Sequence, residues 1–381
     1  MISKRVEKIP PSGIREFFDL VLGMPEVISL GVGEPDFVTP WQVREKAITA
    51  LEEGFTSYTS NKGLKILREG ISEYLKRKYS LAYNPDDEIL ITVGVSQGFD
   101  LALRALLDPQ DKVIVVCPHY VAYPALVELY LGKVLYLETK KLKGFKIEPV
   151  QLKRLLKQHP KAIVLNYPSN PTGVTYTKEE LQTLWRILAQ EDIVVISDEI
   201  YHELIYEGRH IPFATLKKAK SRTILLNGFS KGCAMTGFRV GYACGSKRVI
   251  GAMMKIHSFS MLCAPIISQL AAYEALKAHK EVVSMCKEYK HRRDFIVKEL
   301  NRIGLSTVKP QGAFYCFPSI QRTGLNSLEF AKKLLVEENV AVVPGRAFGG
   351  GYDDFLRISF ASPLEDLKEA VVRIEKFLRK L

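Results

Sequence analysis

The sequence predicts an α/β protein: a large domain built on a mostly parallel seven-stranded sheet flanked by helices, joined to a smaller α+β domain. Three observations predict it. Between about residues 88 and 245, short runs of Val, Ile and Leu alternate with helical stretches, the pattern of successive strand–helix–strand units. Beyond residue 265 the chain changes to long helices and short, separated strands. A length of 381 residues also exceeds what one hydrophobic core usually holds. The expected division assigns 40–280 to the large domain, with 1–39 and 281–381 forming the smaller one.

The elements follow in chain order. Pro10-Pro11-Ser12-Gly13 breaks regular structure, and residues 14–22 have helical periodicity. Residues 28–37, Ile-Ser-Leu-Gly-Val-Gly-Glu-Pro-Asp-Phe, read as a short strand entering a Gly/Pro loop. Thr39-Pro40 opens a helix to about residue 53, with proline in its first turn. Tyr58 lies in a polar loop, and a helix over 64–79 places Leu64, Leu67, Ile71 and Leu75 on one face. The seven strands are expected at 89–93, 112–116, 134–137, 162–166, 193–197, 223–226 and 240–244. A capping box, Thr177-Lys178-Glu179-Glu180, starts the helix that ends near residue 190. Helices over 265–278 and 281–302 lead into strands near 312–317, 340–343 and 355–360, a helix over 327–337, and a last helix from Pro363.

Composition narrows the function classes. Apolar residues make up 47% and charged residues 25%, as in ordinary globular proteins. No apolar run is long enough to span a membrane, and the charged first eight residues lack the apolar core of a signal peptide. Six scattered cysteines form no CxxC pair, which argues against a metal site or a disulfide framework and suits the cytoplasm. The net charge of +12 is spread along helices among acids, so no nucleic-acid partner is expected.

The chemistry-bearing residues lie at strand ends. In open α/β sheets, ligands sit beyond the carboxyl ends of the strands. Ser96, Tyr120, Asn170, Asp198 and Lys231 all fall there. Gly94-Val95-Ser96-Gln97 opens a helix, so free N–H groups and a hydroxyl offer an anion site, with Arg239 as a compensating charge. Lys231 follows an apolar strand in a small-residue turn, where desolvation makes a lysine a better nucleophile. Asp198 ends an Ile/Val strand and either caps a helix over 199–201 or awaits a cation. Arg357 sits among strand hydrophobics and needs an anion, unless its strand is an edge. An anion cradle, a buried aspartate, a reactive lysine and a carboxylate-gripping arginine together suit pyridoxal phosphate.

With these residues in view, the chain resembles a fold-type-I pyridoxal-phosphate aminotransferase of the class I/II family, near the aspartate/aromatic group. The resemblance runs from about Ser29 to Ala361. It rests on five motifs in family order: Leu30-Gly31-Val32-Gly33-Glu34-Pro35-Asp36-Phe37, Asn170-Pro171-Thr172-Gly173, Ser197-Asp198-Glu199-Ile200-Tyr201, the stretch 229–241 around Lys231, and Leu356-Arg357-Ile358-Ser359. It implies that Lys231 is the Schiff-base lysine and proton carrier, and that Asp198 partners the pyridine nitrogen. Asn170 and Tyr201 would bond the ring oxygen, and Tyr120 would stack on the ring. Val95 through its backbone, Ser96, Ser230 and Arg239 would form the phosphate cradle, and Gln97 would also be a cofactor-binding residue. Tyr58 would reach the phosphate of a neighbouring subunit, making a homodimer with shared sites. Gly33, Asn170 and Arg357 would hold the substrate carboxylate. The implied reaction moves an α-amino group from an amino acid to a 2-oxo acid such as 2-oxoglutarate.

Some positions depart from the family pattern. The phosphate motif has Val95 where many relatives have a second glycine or alanine, and Gly228 stands where some branches have serine. No second arginine for a side-chain carboxylate is evident. Two rival readings follow from the same residues: a carbon–sulfur β-lyase that keeps the cofactor, and a regulator that keeps only the fold. The second usually carries an added DNA-binding domain, for which the roughly 30 residues before the first motif leave no room.

Overall fold

The computed structural model describes residues 2–7, 9, 24 and 26–381. The helix expected over 14–22 and the break at Pro10 to Gly13 lie outside the described residues. Twelve strands are present among those described: β1 Ile28–Ser29, β2 Ile89–Thr92, β3 Lys112–Cys117, β4 Lys133–Glu138, β5 Ala162–Asn166, β6 Val194–Asp198, β7 Thr223–Gly228, β8 Gly241–Cys244, β9 Tyr315–Cys316, β10 Val340–Ala341, β11 Val343–Pro344 and β12 Leu356–Ser359.

Strands β2 to β8 form one seven-stranded sheet in the order β2-β8-β7-β6-β5-β3-β4. All its pairings are parallel except those of β8, which runs against both β7 and β2. Because β8 alone is reversed, β2 to β7 all end on the same edge.

The sheet is mostly parallel because its strands are buried on both faces, and their sequences are near-continuous Val/Ile/Leu runs. Alternate residues feed opposite cores. Leu90, Val115, Val164, Ile196 and Leu226 pack toward the helices Gly94–Leu106, Ala122–Leu129 and Lys247–Ser260. Ile91, Leu225 and Tyr242 pack on the other face against the helix Lys65–Tyr79, while Ile163 and Val195 pack there against the helices Pro149–Leu156 and Lys178–Leu188. The expected capping box forms: Thr177 Oγ1 accepts from the Glu180 N–H, and the Glu180 carboxylate accepts from the Thr177 N–H.

The remaining strands form two small sheets. β1 pairs in parallel with β10, tying the early chain to its last third. β12 lies between β11 and β9 in an antiparallel trio, so Arg357 stands on a central strand and not an edge. A third core gathers here around Phe314, Phe330, Ile358 and Phe377. The helix His279–Arg302 serves two cores at once: Val282 and Met285 pack against the large sheet's helices, and Ile296 and Leu300 pack in the third core.

Candidate active site

Five loops leave the common edge of the large sheet, and their side chains line one cavity of about 370 Å³. Its wall includes Gly33, Val95, Ser96, Tyr120, Asn170, Asp198, Tyr201, Ser230, Lys231, Arg239 and Arg357, so eleven of the thirteen sequence-predicted residues come together.

At one end the helix Gly94–Leu106 begins directly after β2, presenting Val95 and Ser96 at its N-terminus. Free N–H groups there favour an anion. Gly94 has φ +73°, and a Cβ on it would come within 2.8 Å of Arg239 Nη2. Glycine thus lets the guanidinium lie over the start of the helix. Arg239 itself is held by a bond from Nη1 to the Thr236 carbonyl, 3.1 Å away. Ser230 is buried on the same wall.

Asp198 closes β6 and is buried. The residues after it make a turn, not the helix considered from sequence, and Asp198 Oδ1 accepts from the Ile200 N–H at 3.2 Å. Its Oδ2 accepts from Tyr123 Oη at 2.8 Å. Burial raises its pKa from 3.8 to about 6, against the pull of those two donors and of Lys231. Lys231 Nζ donates to the Gly33 carbonyl at 2.7 Å. Burial is the main reason its pKa falls from 10.5 to about 8; Arg357 and Arg239 push the same way, while Glu34 and Asp198 oppose. A lysine in this state is a nucleophile near neutral pH.

Arg357 is only 2% exposed. It donates to Asn170 Oδ1 at 3.1 Å and to the Gly31 carbonyl at 2.5 Å, and its Nε has no partner. No carboxylate pairs with it among the described residues, although a buried guanidinium strongly favours one. The ring of Tyr315 lies beneath it, 4.5 Å from the guanidinium carbon. Tyr315 Oη in turn meets Tyr201 Oη at 2.9 Å, and a Cβ on Gly33 would strike Tyr315 Oη at 2.5 Å. Glycine at position 33 therefore keeps this corner open.

Two predicted residues are not in the cavity wall. Gln97 is turned away: its Oε1 accepts from the Val93 N–H at 2.7 Å, and its amide meets His257 Nδ1 at 3.1 Å. That side chain braces its own helix start and is not among the residues that line the cavity. Tyr58 is 82% exposed and lies outside the cavity wall of its own chain. Sequence reasoning assigned no role to Tyr315, Glu34 or Asn166, which line the cavity together with Tyr123. Asn166 had a signal, since it ends β5; its Oδ1 accepts from the Asn170 N–H at 2.8 Å and its Nδ2 donates to the Asp198 carbonyl at 3.0 Å.

With this geometry in hand, comparison with known proteins decides the family. The model for aminotransferase class I and II matches residues 25–374. The chain belongs to the class I and II aminotransferases. Bacillus subtilis YugH is 48% identical over all of this chain and 98% of its own. An aspartate aminotransferase from Pyrococcus abyssi is 42% identical over 100% of this chain and 98% of its own. The solved structure of Thermus thermophilus aspartate aminotransferase with maleate superposes with a TM-score of 0.94 at 38% identity, covering 99% of both chains. The architecture is thus the fold-type-I fold of these enzymes, and the activity is amino-group transfer. Pyridoxal phosphate is the general cofactor of the family. The residues present fit it: an anion end at Val95, Ser96, Ser230 and Arg239, a buried carboxylate at Asp198, a desolvated amine at Lys231, and at Arg357 a guanidinium with no carboxylate partner among the described residues. Among the described residues, no helix is long and apolar enough to cross a membrane.

Proposed function

We propose that this aminotransferase moves the α-amino group of an amino acid to a 2-oxo acid such as 2-oxoglutarate, using pyridoxal phosphate carried on Lys231. The observation that carries this reading is that Lys231, Asp198 and the carboxylate-free Arg357 open on one cavity. When bound, the cofactor supplies an electron sink for the bond broken at the substrate's α-carbon. Val95 N–H, Ser96, Ser230 and Arg239 hold its phosphate, and Asn170 and Tyr201 bond its ring oxygen. Tyr120 lies against the ring. Asp198, ionised, keeps the ring nitrogen protonated. Arg357 grips the α-carboxylate of each substrate beside Asn170 and Gly33, which orients the α-hydrogen. Lys231, desolvated, would accept that proton from the α-carbon and hold it at Nζ for return on the cofactor side.

The same reading includes a homodimer, in which Tyr58 reaches the phosphate end of the other copy's site. Support comes from the exposure of Val38, Trp41, Leu51, Tyr58 and Phe259, an apolar set on the outside of this chain. It also includes a large domain over 40–280, a small one from 1–39 with 281–381, and a cytoplasmic setting, supported by six unpaired cysteines.

The test is a half-reaction screen, in which the absorbance of the loaded enzyme is followed with one amino acid at a time. A donor bleaches the cofactor band, and an added 2-oxo acid restores it. Lys231→Ala removes both changes; turnover retained by that variant refutes the reading. Release of pyruvate and ammonia from cystathionine without any 2-oxo acid would instead identify a β-lyase.

A further inference from the structure

We infer that Tyr123 is a positioning residue for Asp198: its phenol holds the carboxylate ionised and aimed into the cavity, so that a bound pyridine nitrogen keeps its proton. The inference rests on the proposed role of Asp198 and assigns a task to a residue outside the motifs.

Tyr123 stands in the first turn of the helix Ala122–Leu129 and is buried. Its N–H bonds the Tyr120 carbonyl at 3.1 Å, which locks the turn. Its ring packs on Phe99 with centroids 4.9 Å apart and meets the edge of Tyr120 at 5.6 Å. Phenylalanine would make the same contacts. What phenylalanine lacks is the hydroxyl, whose bond to Asp198 Oδ2 at 2.8 Å is the one hydrogen bond the phenol makes among the described residues.

That bond matters because of what else faces Asp198. Burial and the neighbouring Glu199 favour the protonated acid, while Lys231 and the Ile200 N–H favour the carboxylate. Tyr120 and Tyr201 are also near, but neither bonds it. A carboxylate has about four lone-pair positions. Ile200 takes one on Oδ1 and Tyr123 one on Oδ2, so both oxygens are fixed and lone pairs remain for a ligand N–H. Removing the phenol leaves Oδ2 free to rotate and to bind a proton in its place. A hydrogen bond to a charged group is strong enough to move the balance about tenfold.

The experiment uses four holoenzymes: wild type, Tyr123→Phe, Asp198→Asn and the double variant. Each is loaded with pyridoxal phosphate and titrated between pH 4.5 and 9 by absorbance and circular dichroism of the bound cofactor, alongside kcat and KM for one donor. Tyr123→Phe is expected to move the acid-side spectral midpoint up by about one pH unit and to lower kcat several-fold at pH 6.5 with little change in KM. In the Asp198→Asn background the same substitution is expected to change neither by more than about twofold. An unmoved midpoint in Tyr123→Phe, or an equal loss in both backgrounds, overturns the inference. If Asp198→Asn alone leaves spectrum and turnover untouched, the assignment of Asp198 fails first, and this inference falls with it.

Discussion

Replacing Lys231 with Met in the cofactor-free protein should stabilise it near neutral pH. Lys231 Nζ lies in a cavity built to desolvate it, and its pKa falls from 10.5 to about 8, mainly through burial. Such a fall corresponds to about 3 kcal/mol that the folded state bears whenever the amine is charged. The bond from Nζ to the Gly33 carbonyl, 2.7 Å long, returns about 1 kcal/mol that methionine forfeits. The net expectation is a gain of about 2 kcal/mol at pH 7. The direction with pH follows from proton counts. Between pH 8 and 10.5 the unfolded chain keeps the lysine proton while the folded chain has released it. Wild-type stability therefore rises with pH across that window relative to the variant, and the gap closes. The assay is urea unfolding of both cofactor-free proteins at pH 7 and pH 10, at one fixed protein concentration. A variant no more stable than wild type at pH 7, or a gap that persists at pH 10, refutes the claim that the site holds this lysine against its charge.

Three further outcomes follow from the same geometry. Arg357→Lys should lower kcat/KM about 10- to 100-fold, chiefly through KM, because an ammonium cannot match the planar fork that donates to Asn170 and Gly31; steady-state kinetics with any accepted donor reads it. Gly94→Ala should weaken pyridoxal phosphate binding by about tenfold, since the residue sits at φ +73° and its Cβ would push on Arg239 Nη2; equilibrium dialysis with the cofactor measures it. In cofactor-free protein, Asp198 rises from 3.8 to about 6, so the folded chain holds a proton there that the unfolded chain has lost between those values. Wild type should therefore lose about 2 kcal/mol relative to Asp198→Asn as pH climbs from 4 to 6, visible as diverging thermal midpoints.

Most of the fold was legible because parallel strands buried on both faces read as uninterrupted Val/Ile/Leu runs with helices between. Ile89, Ile114, Ile163 and Ile224 each announce a strand without reference to the rest of the chain. The site was legible for the same reason: once the strands are placed, their ends are placed, and Ser96, Asn170, Asp198 and Lys231 need no long-range information. Other residues are invisible to that logic. Arg357 reaches the Gly31 carbonyl across 326 residues, so only the motif resemblance, and no local pattern, could bring the two together.

Gln97 and Tyr123 are placed by the same kind of local geometry. Both lie within four residues of a helix start at the cavity edge, where one turn of helix separates a residue that faces the ligand from one that faces the core. Gln97 lies one position past Ser96, and 100° of helical rotation carries its amide to Val93 and His257. Tyr123, in the first turn of the helix Ala122–Leu129, is held by the turn its N–H closes on the Tyr120 carbonyl, and its ring lies edge-on to Tyr120 with its phenol on Asp198. Helical phase counted from Ser96 places Gln97, and the turn closed on Tyr120 places Tyr123; residue type alone places neither. At a strand-to-helix junction, then, phase relative to one securely placed residue outweighs polarity, because the helix start has already decided which side chains the cavity can see.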